Sequence, residues 1–503
     1  MKLPSLVLSE PKSTASEPPD TTGALWSRWP FAIFLVLFAG AMALYTVSLG
    51  HTAIAPWDES VHAVVAEHIA LHPLQPTLYE VAALTPPVTT NWSLFHIWLH
   101  IPPLGLWASA LSMRLLGDTP FAFRLPGVVF VGLGMLVTYV LGHRLYGPLA
   151  AIIGAAFVGF APYPLLVGQG YVFGDMTDVP LMLFTPLAVL ALVQAYRTGR
   201  YRWLVIAGVS QGLCYLAKGG FGLAPAGVLL ALYVCERLFP DEPGWQRLGL
   251  RGLGAFAGSA ILIAAPFNIY TQRVFPAAAS IEASNWKTAL FTNYEGWGRP
   301  LDYHFTTYLY AMYGPALALV LLSAGIVVAV HALSRRSRAD IIAIVWIAAL
   351  YIPLSLAVTK AVPFTYAAVP AVGLVFGRFV ALGLSSRALL ARAGTLGLLL
   401  GAVGTACLLR LGHFTRFETP YHVIMPVQFF PEQYADRASL YGIEFAVSAM
   451  AGLLCALVIW AIRSRTSRDA TQADSMWHEL RENVRGLLTR SRDVLAAAKP
   501  ASL

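Results

Sequence analysis

The run IWLHIPPLGLWASALSMRLL, residues 97–116, decides how this chain is threaded. It is apolar and long enough to cross a bilayer, so hydropathy alone accepts it as a span. Parity argues otherwise. If it crosses, then Arg197, Arg200 and Arg202, the cluster Arg335, Arg336 and Arg338, and the basic tail after Arg463 all fall outside. That opposes the bias of Lys and Arg toward the cytoplasmic side. If the run stays on the outer surface, all of them fall inside. Pro102 and Pro103 break its first turn, and His96, His100 and Arg114 set polar groups along it. It is therefore read as an interfacial helix on the outer leaflet.

The rest of the chain fits that threading. Its 503 residues are 57% hydrophobic and only 12% charged, with a mean hydropathy of +0.64. A soluble core cannot bury that much apolar surface, so the fold class is an all-α polytopic membrane protein. Apolar runs of crossing length recur near 31–49, 125–141, 149–168, 179–197, 203–217, 220–236, 251–270, 306–332, 340–358, 363–383, 393–410 and 441–462. These are about twelve transmembrane helices in a domain covering 29–463, with outer loops at 50–124, 169–178, 271–305 and 411–440. Residues 1–28, rich in Ser, Pro and Thr, read as a disordered cytosolic tail. Residues 464–503 read as a cytosolic amphipathic tail, in which Trp477, Leu480, Val484, Leu487 and Leu488 share one helical face. The expected location is the plasma (inner) membrane, multi-pass, with both termini cytosolic. The net charge of +8 comes from basic residues in small groups between apolar runs, a pattern that orients spans and excludes a nucleic-acid partner. Cys214, Cys235, Cys407 and Cys455 lie in or at the ends of apolar runs without CxxC spacing, which excludes a disulfide framework.

Two acidic pairs then face the same outer side: Asp58 with Glu59, and Asp175 with Asp178. A carboxylate costs about 3 kcal/mol at the bilayer centre, so those kept at a membrane boundary face water, a partner or a substrate. The residues from Asp58 onward show helical spacing closed by Pro73, which places Asp58 at a helix start where the macrodipole favours a negative charge. His68 and His72 are spaced i, i+4, as are His96 and His100, without the Glu of a zincin motif. No cofactor is assigned. A divalent metal stays open, with Asp175, His68 and His72 as its candidate ligands.

The chain resembles a known family at Trp57-Asp58-Glu59, at Pro102-Pro103 and at Phe123-Arg124-Leu125-Pro126. It does so again at Gly142-His143-Arg144-Leu145-Tyr146-Gly147, at Asp178-Val179-Pro180-Leu181 and at Ala217-Lys218-Gly219. In this order and spacing they are similar to GT-C type membrane glycosyltransferases, in the group of the aminoarabinose lipid A transferases and protein O-mannosyltransferases. The resemblance covers roughly residues 30–240 and returns weakly at 303–315 and 360–370. It implies a catalytic cavity at the outer leaflet lined by Asp58 and Asp178, where a sugar moves from a polyprenyl phosphate carrier to an extracytoplasmic acceptor. The expected partners are the carrier-linked sugar, membrane lipids and that acceptor.

Such a transfer needs a carboxylate to deprotonate or orient the acceptor and cations to stabilise the departing phosphate. The carboxylates are Asp58, with Asp178 and Glu59 beside it. The cations and donors are Lys218 at the end of the fifth span, Lys360 and Tyr366 at the turn between spans nine and ten, and Lys287 in the long outer loop. One departure stands out. Members of the family it resembles often carry Lys directly before the Pro-Pro pair, against the carrier phosphate, whereas this chain has Ile101 and leaves His100 as the nearest substitute. Two other classes of activity use comparable architecture: a lipid or solute transporter, and a lipid-linked glycan polymerase or ligase.

Overall fold

Every long apolar run in the described part of the chain is a helix whose ends follow from its flanking residues. The structure, a computed structural model, describes residues 28–385 except 48, 51–52, 56–57, 80–95, 162–163, 166, 168–175, 239–243, 294–296 and 361, together with 482 and 485. Three helices come first: α1 (Arg28–Val47), α2 (Asp58–Leu71) and α3 (Leu104–Leu116). Thr119 then caps α4 (Pro120–Tyr146), its hydroxyl accepting from the Ala122 amide at 3.2 Å with Pro120 in the first turn. After α5 (Pro148–Gly159) comes a 3-10 turn (Met176–Asp178), and Pro180 opens α6 (Pro180–Thr198). Helix α7 (Tyr201–Lys218) stops at Gly219, whose φ of +57° is a conformation that a side chain resists. That stop leaves Lys218 as the last residue of the helix. A 3-10 turn (Gly219–Gly222), α8 (Ala224–Leu238), α9 (Gly249–Val274) and α10 (Pro276–Phe291) follow. The described helices end with α11 (Leu309–Arg335), α12 (Arg338–Leu356) and α13 (Val369–Ser385). A π-turn (His304–Tyr308) precedes α11 and a 3-10 segment (Val362–Ala368) precedes α13.

Ten of the twelve expected spans fall on α1, α4, α5, α6, α7, α8, α9, α11, α12 and α13. The runs at 393–410 and 441–462, the loop at 411–440 and nearly all of both tails lie outside the described residues. By length and apolarity, seven stretches among the described residues can cross a membrane: 29–46, 120–146, 176–198, 201–222, 249–274, 338–356 and 364–382. The 12-residue α5 spans only about 18 Å against about 30 Å of hydrocarbon, because Gly147 and Pro148 restart the chain and the helix ends at Phe160.

Helix α6 is central and buried along its length, packed between α4 and α7, while α7 also packs on α9 and α5 on α13. Helices α1 and α9 bury few of their residues and form the periphery. A second, smaller cluster joins α2 and α3 through Val65, Ile69, Trp98, Leu106, Met113 and Phe123.

The two ends of the bundle differ in chemistry. At one end Arg197 donates to the Arg144 carbonyl at 2.7 Å, Tyr146 donates to the Ala339 carbonyl, and Arg378 pairs with Asp340. Of the basic residues that decided the parity, the described ones, Arg197, Arg200, Arg202, Arg335, Arg336 and Arg338, lie at the helix ends on that side. Helix α3 starts and finishes at the opposite end. Its Gly105 lies so close to Thr177 that a Cβ would overlap the Thr177 carbonyl. Its exit leads directly into the start of α4, where Arg124 bonds to carbonyls that follow α1. At 13 residues α3 is about 20 Å long, shorter than the roughly 30 Å of hydrocarbon.

Candidate active site

The acids after α1 do not behave as a pair. Glu59 faces inward and is bound at both oxygens: Arg124 Nε donates to Oε1 at 2.6 Å, while Arg124 Nη2 and the Ala55 amide donate to Oε2 at 2.8 and 2.6 Å. The remaining guanidinium bonds run to the Leu49 and Ala53 carbonyls at 3.1 and 2.8 Å. Both charged side chains are fully buried, so this bidentate pair fastens the start of α2 to α4 and to the end of α1. Asp58 precedes Glu59 in the same first turn and is half-buried. Neighbouring helical residues point about 100° apart, so Glu59 turning inward directs Asp58 elsewhere.

The acid before α6 is paired too. Asp178 sits in the 3-10 turn, with its Oδ2 2.6 Å from Lys218 Nζ, and both side chains are buried. The short turn before Pro180 and the glycine stop after Lys218 bring together residues forty positions apart. Lys218 Nζ also lies 5.6 Å from the centre of the Phe364 ring, which stacks on Phe221.

Lys218 opens into a cavity of about 550 Å³. The segment 99–102, the end of α7, the last turns of α9, α10 and the end of α12 enclose it. Its walls are largely apolar, including Ile101, Phe221, Phe267, Trp286 and Leu290, and among the described residues Lys218 and Glu282 are the charged groups that line it. A volume in this range suits a small ligand or part of a lipid, and a lysine among apolar walls suits a phosphate bearing a hydrocarbon chain.

The other sequence candidates are distributed around this cavity or away from it. His100 Nδ1 is 3.0 Å from Glu282 Oε1, and its ring stacks near Trp286. Lys360 is buried and donates to the carbonyls of Arg299, at 3.0 Å, and of Ala357, a cavity residue. Burial lowers the Lys360 pKa, with Asp302 opposing the shift. Tyr366 is buried in the 3-10 segment that precedes α13. Lys287 is exposed on α10. His68 faces the Thr77 carbonyl at 2.8 Å, and His72 lies just past the end of α2. Among the described residues no three His, Cys, Asp or Glu side chains gather where a metal ion could sit, and Asp175 lies outside those residues.

Three residues had no role in the sequence reading. Arg124 belonged to a quoted motif, and a single arginine opening an apolar run was the available signal. Glu282 is an isolated acid in a weakly amphipathic segment. His304 is buried against Ser355, and burial aided by Lys360 lowers its pKa to about 4, which keeps the ring neutral.

Comparison with known proteins agrees with this architecture. Residues 100–265 match the model of the dolichyl-phosphate-mannose-protein mannosyltransferase family. The undecaprenyl phosphate-alpha-4-amino-4-deoxy-L-arabinose arabinosyl transferase of Pseudomonas savastanoi is 24% identical over 46% of this chain and 39% of its own length. The corresponding enzyme of Pseudomonas aeruginosa is 28% identical over 37% of this chain and 32% of its own length. The chain thus matches about a third to two fifths of these relatives. The crystal structure of ArnT from Cupriavidus metallidurans bound to undecaprenyl phosphate superposes with a TM-score of 0.57. It covers 90% of this chain and 76% of ArnT at 20% identity, a likeness of fold. This protein therefore carries the GT-C type membrane glycosyltransferase fold, similar over residues 100–265 to the protein mannosyltransferase family and over 46% of its length to an aminoarabinose transferase.

Proposed function

We propose that this protein transfers a sugar, as a hexosyl- or pentosyltransferase, from a polyprenyl phosphate carrier to an extracytoplasmic lipid, glycan or protein at the outer leaflet. One observation carries the reading: an apolar-walled cavity whose buried lysine, Lys218, is held in place by Asp178. In the reaction the acceptor nucleophile attacks the anomeric carbon, and the bond from that carbon to the carrier phosphate oxygen breaks. The electron pair leaves with the phosphate. Asp58 takes or orients the acceptor's proton, Lys218 meets the charge growing on the phosphate, and Asp178 positions Lys218. Glu59 acts by fixing the start of α2. Lys360, Tyr366, His100 and Lys287 are secondary donors toward the phosphate or its approach.

The carrier site is tested at Lys218 and Ile101, which line the same cavity. Lys218→Gln keeps a donor toward Asp178 and removes the charge. A charge-assisted hydrogen bond contributes roughly 1.5–3 kcal/mol, so undecaprenyl phosphate should bind about ten- to a hundredfold more weakly. Adding Ile101→Lys to that variant should recover part of the loss. Unchanged affinity in Lys218→Gln would make the lysine a structural residue only.

The side of the membrane is tested by cysteine labelling. Single cysteines at the exposed positions Gln75 and Asn293 should react with a membrane-impermeant maleimide from outside, and one at exposed Thr198 should not. Labelling of Gln75 and Thr198 from the same side would overturn the proposed orientation.

A further inference from the structure

The catalytic roles above leave Glu282 unused. It lines the cavity together with Lys218, and its side chain is about nine-tenths buried. One oxygen, Oε1, faces His100 at 3.0 Å. The other, Oε2, is buried without a hydrogen-bond partner. One turn further along α10, Asn285 is buried as well, and its Nδ2 also has no partner. A buried carboxylate oxygen and a buried amide left unsatisfied both carry a desolvation cost, and native proteins leave few such atoms unless a ligand completes them. Residues three apart on a helix share a face, so the acceptor at the cavity wall has a buried donor beside it, just behind the lining. Neighbouring hydroxyls of a sugar ring, each able to donate and accept, complete that pattern.

We propose that Glu282, with Asn285 beside it, is the specificity-determining subsite for the sugar: the Glu282 carboxylate accepts a hydrogen bond from a ring hydroxyl or amino group of the carrier-linked sugar. His100 holds the carboxylate in orientation through its other oxygen, and Trp286 forms the adjoining wall. This assignment rests on the carrier-dependent reading above and deepens it.

The test compares three lipids on the full-length protein in detergent: undecaprenyl phosphate alone, the same carrier linked to a neutral hexose, and the carrier linked to an amino pentose. Thermal unfolding confirms that each variant is folded. Glu282→Ala should weaken a sugar-linked carrier about ten- to a hundredfold while changing the sugar-free carrier by no more than about twofold. Asn285→Ala should act in the same direction by a smaller factor, about two- to tenfold. Glu282→Gln separates the two sugar chemistries: it should retain most of the affinity if the contact is to a hydroxyl and lose as much as Ala if it is to an ammonium. Equal weakening of sugar-free and sugar-linked carriers, or no change in either, overturns the subsite while leaving the carrier reading intact. If the wild type binds the sugar-free carrier no better than an unrelated lipid, the carrier reading falls and the subsite with it.

Discussion

Replacing Asp58 by Asn is expected to lower sugar transfer by about a hundred- to ten-thousandfold, the usual cost of losing a positioned general base. The substitution keeps size and polarity and removes only the charge. Helix α2 should survive it, because the start of α2 is held by the neighbouring Glu59 through Arg124 and the Ala55 amide. Asp58 stands in the first turn of α2, where unsatisfied amides favour an anion, and it is only half-buried. Transfer rates in proteoliposomes, with thermal unfolding as a control, check the outcome. Wild-type turnover in Asp58→Asn would remove this carboxylate from the mechanism.

The second large effect is on stability. Arg124→Leu should destabilise the protein by roughly 3–5 kcal/mol, because it strands the Glu59 carboxylate with no exposed surface and no counter-charge. That is a large share of a typical folding free energy of about 5–15 kcal/mol, so the variant should be scarce in membranes and melt early. The double variant Arg124→Leu with Glu59→Leu should recover much of the loss, since replacing a whole buried pair by apolar groups is often nearly neutral. A double variant no more stable than Arg124→Leu would mean that the carbonyl contacts to Leu49 and Ala53, and not the ion pair, hold this corner.

Much of the fold was legible in the sequence because its signals are local. The helix from Asp58, the helix before Gly117, the proline start at Pro180 and the helix end at Lys218 all depend on residues a few positions apart. The number of spans was less legible, because the apolar run at 149–168 looks continuous while its helix ends at Gly159. The site was legible by residue type and not by partnership. Asp58 and Glu59 read alike as outer acids, yet Glu59 is occupied by an arginine 65 positions away. Asp178 and Lys218 were each singled out for separate roles, and their contact depends on how α6 and α7 pack. His100 was considered as a substitute for a missing lysine. Its partner, Glu282, lies 182 positions downstream, where no periodicity points to it.

The measurement that bears most directly on the central claim follows the carrier itself. The protein is reconstituted with undecaprenyl phosphate linked to a labelled sugar and with an extract of outer-leaflet acceptors. Lipid products are then resolved by mass spectrometry, with Asp58→Asn as the blank. Transfer requires that sugar-free undecaprenyl phosphate and a glycosylated acceptor appear in equal amounts with the wild type and at background with the variant. If the labelled carrier stays intact, or crosses to the other leaflet still bearing its sugar, the protein is not the glycosyltransferase described here.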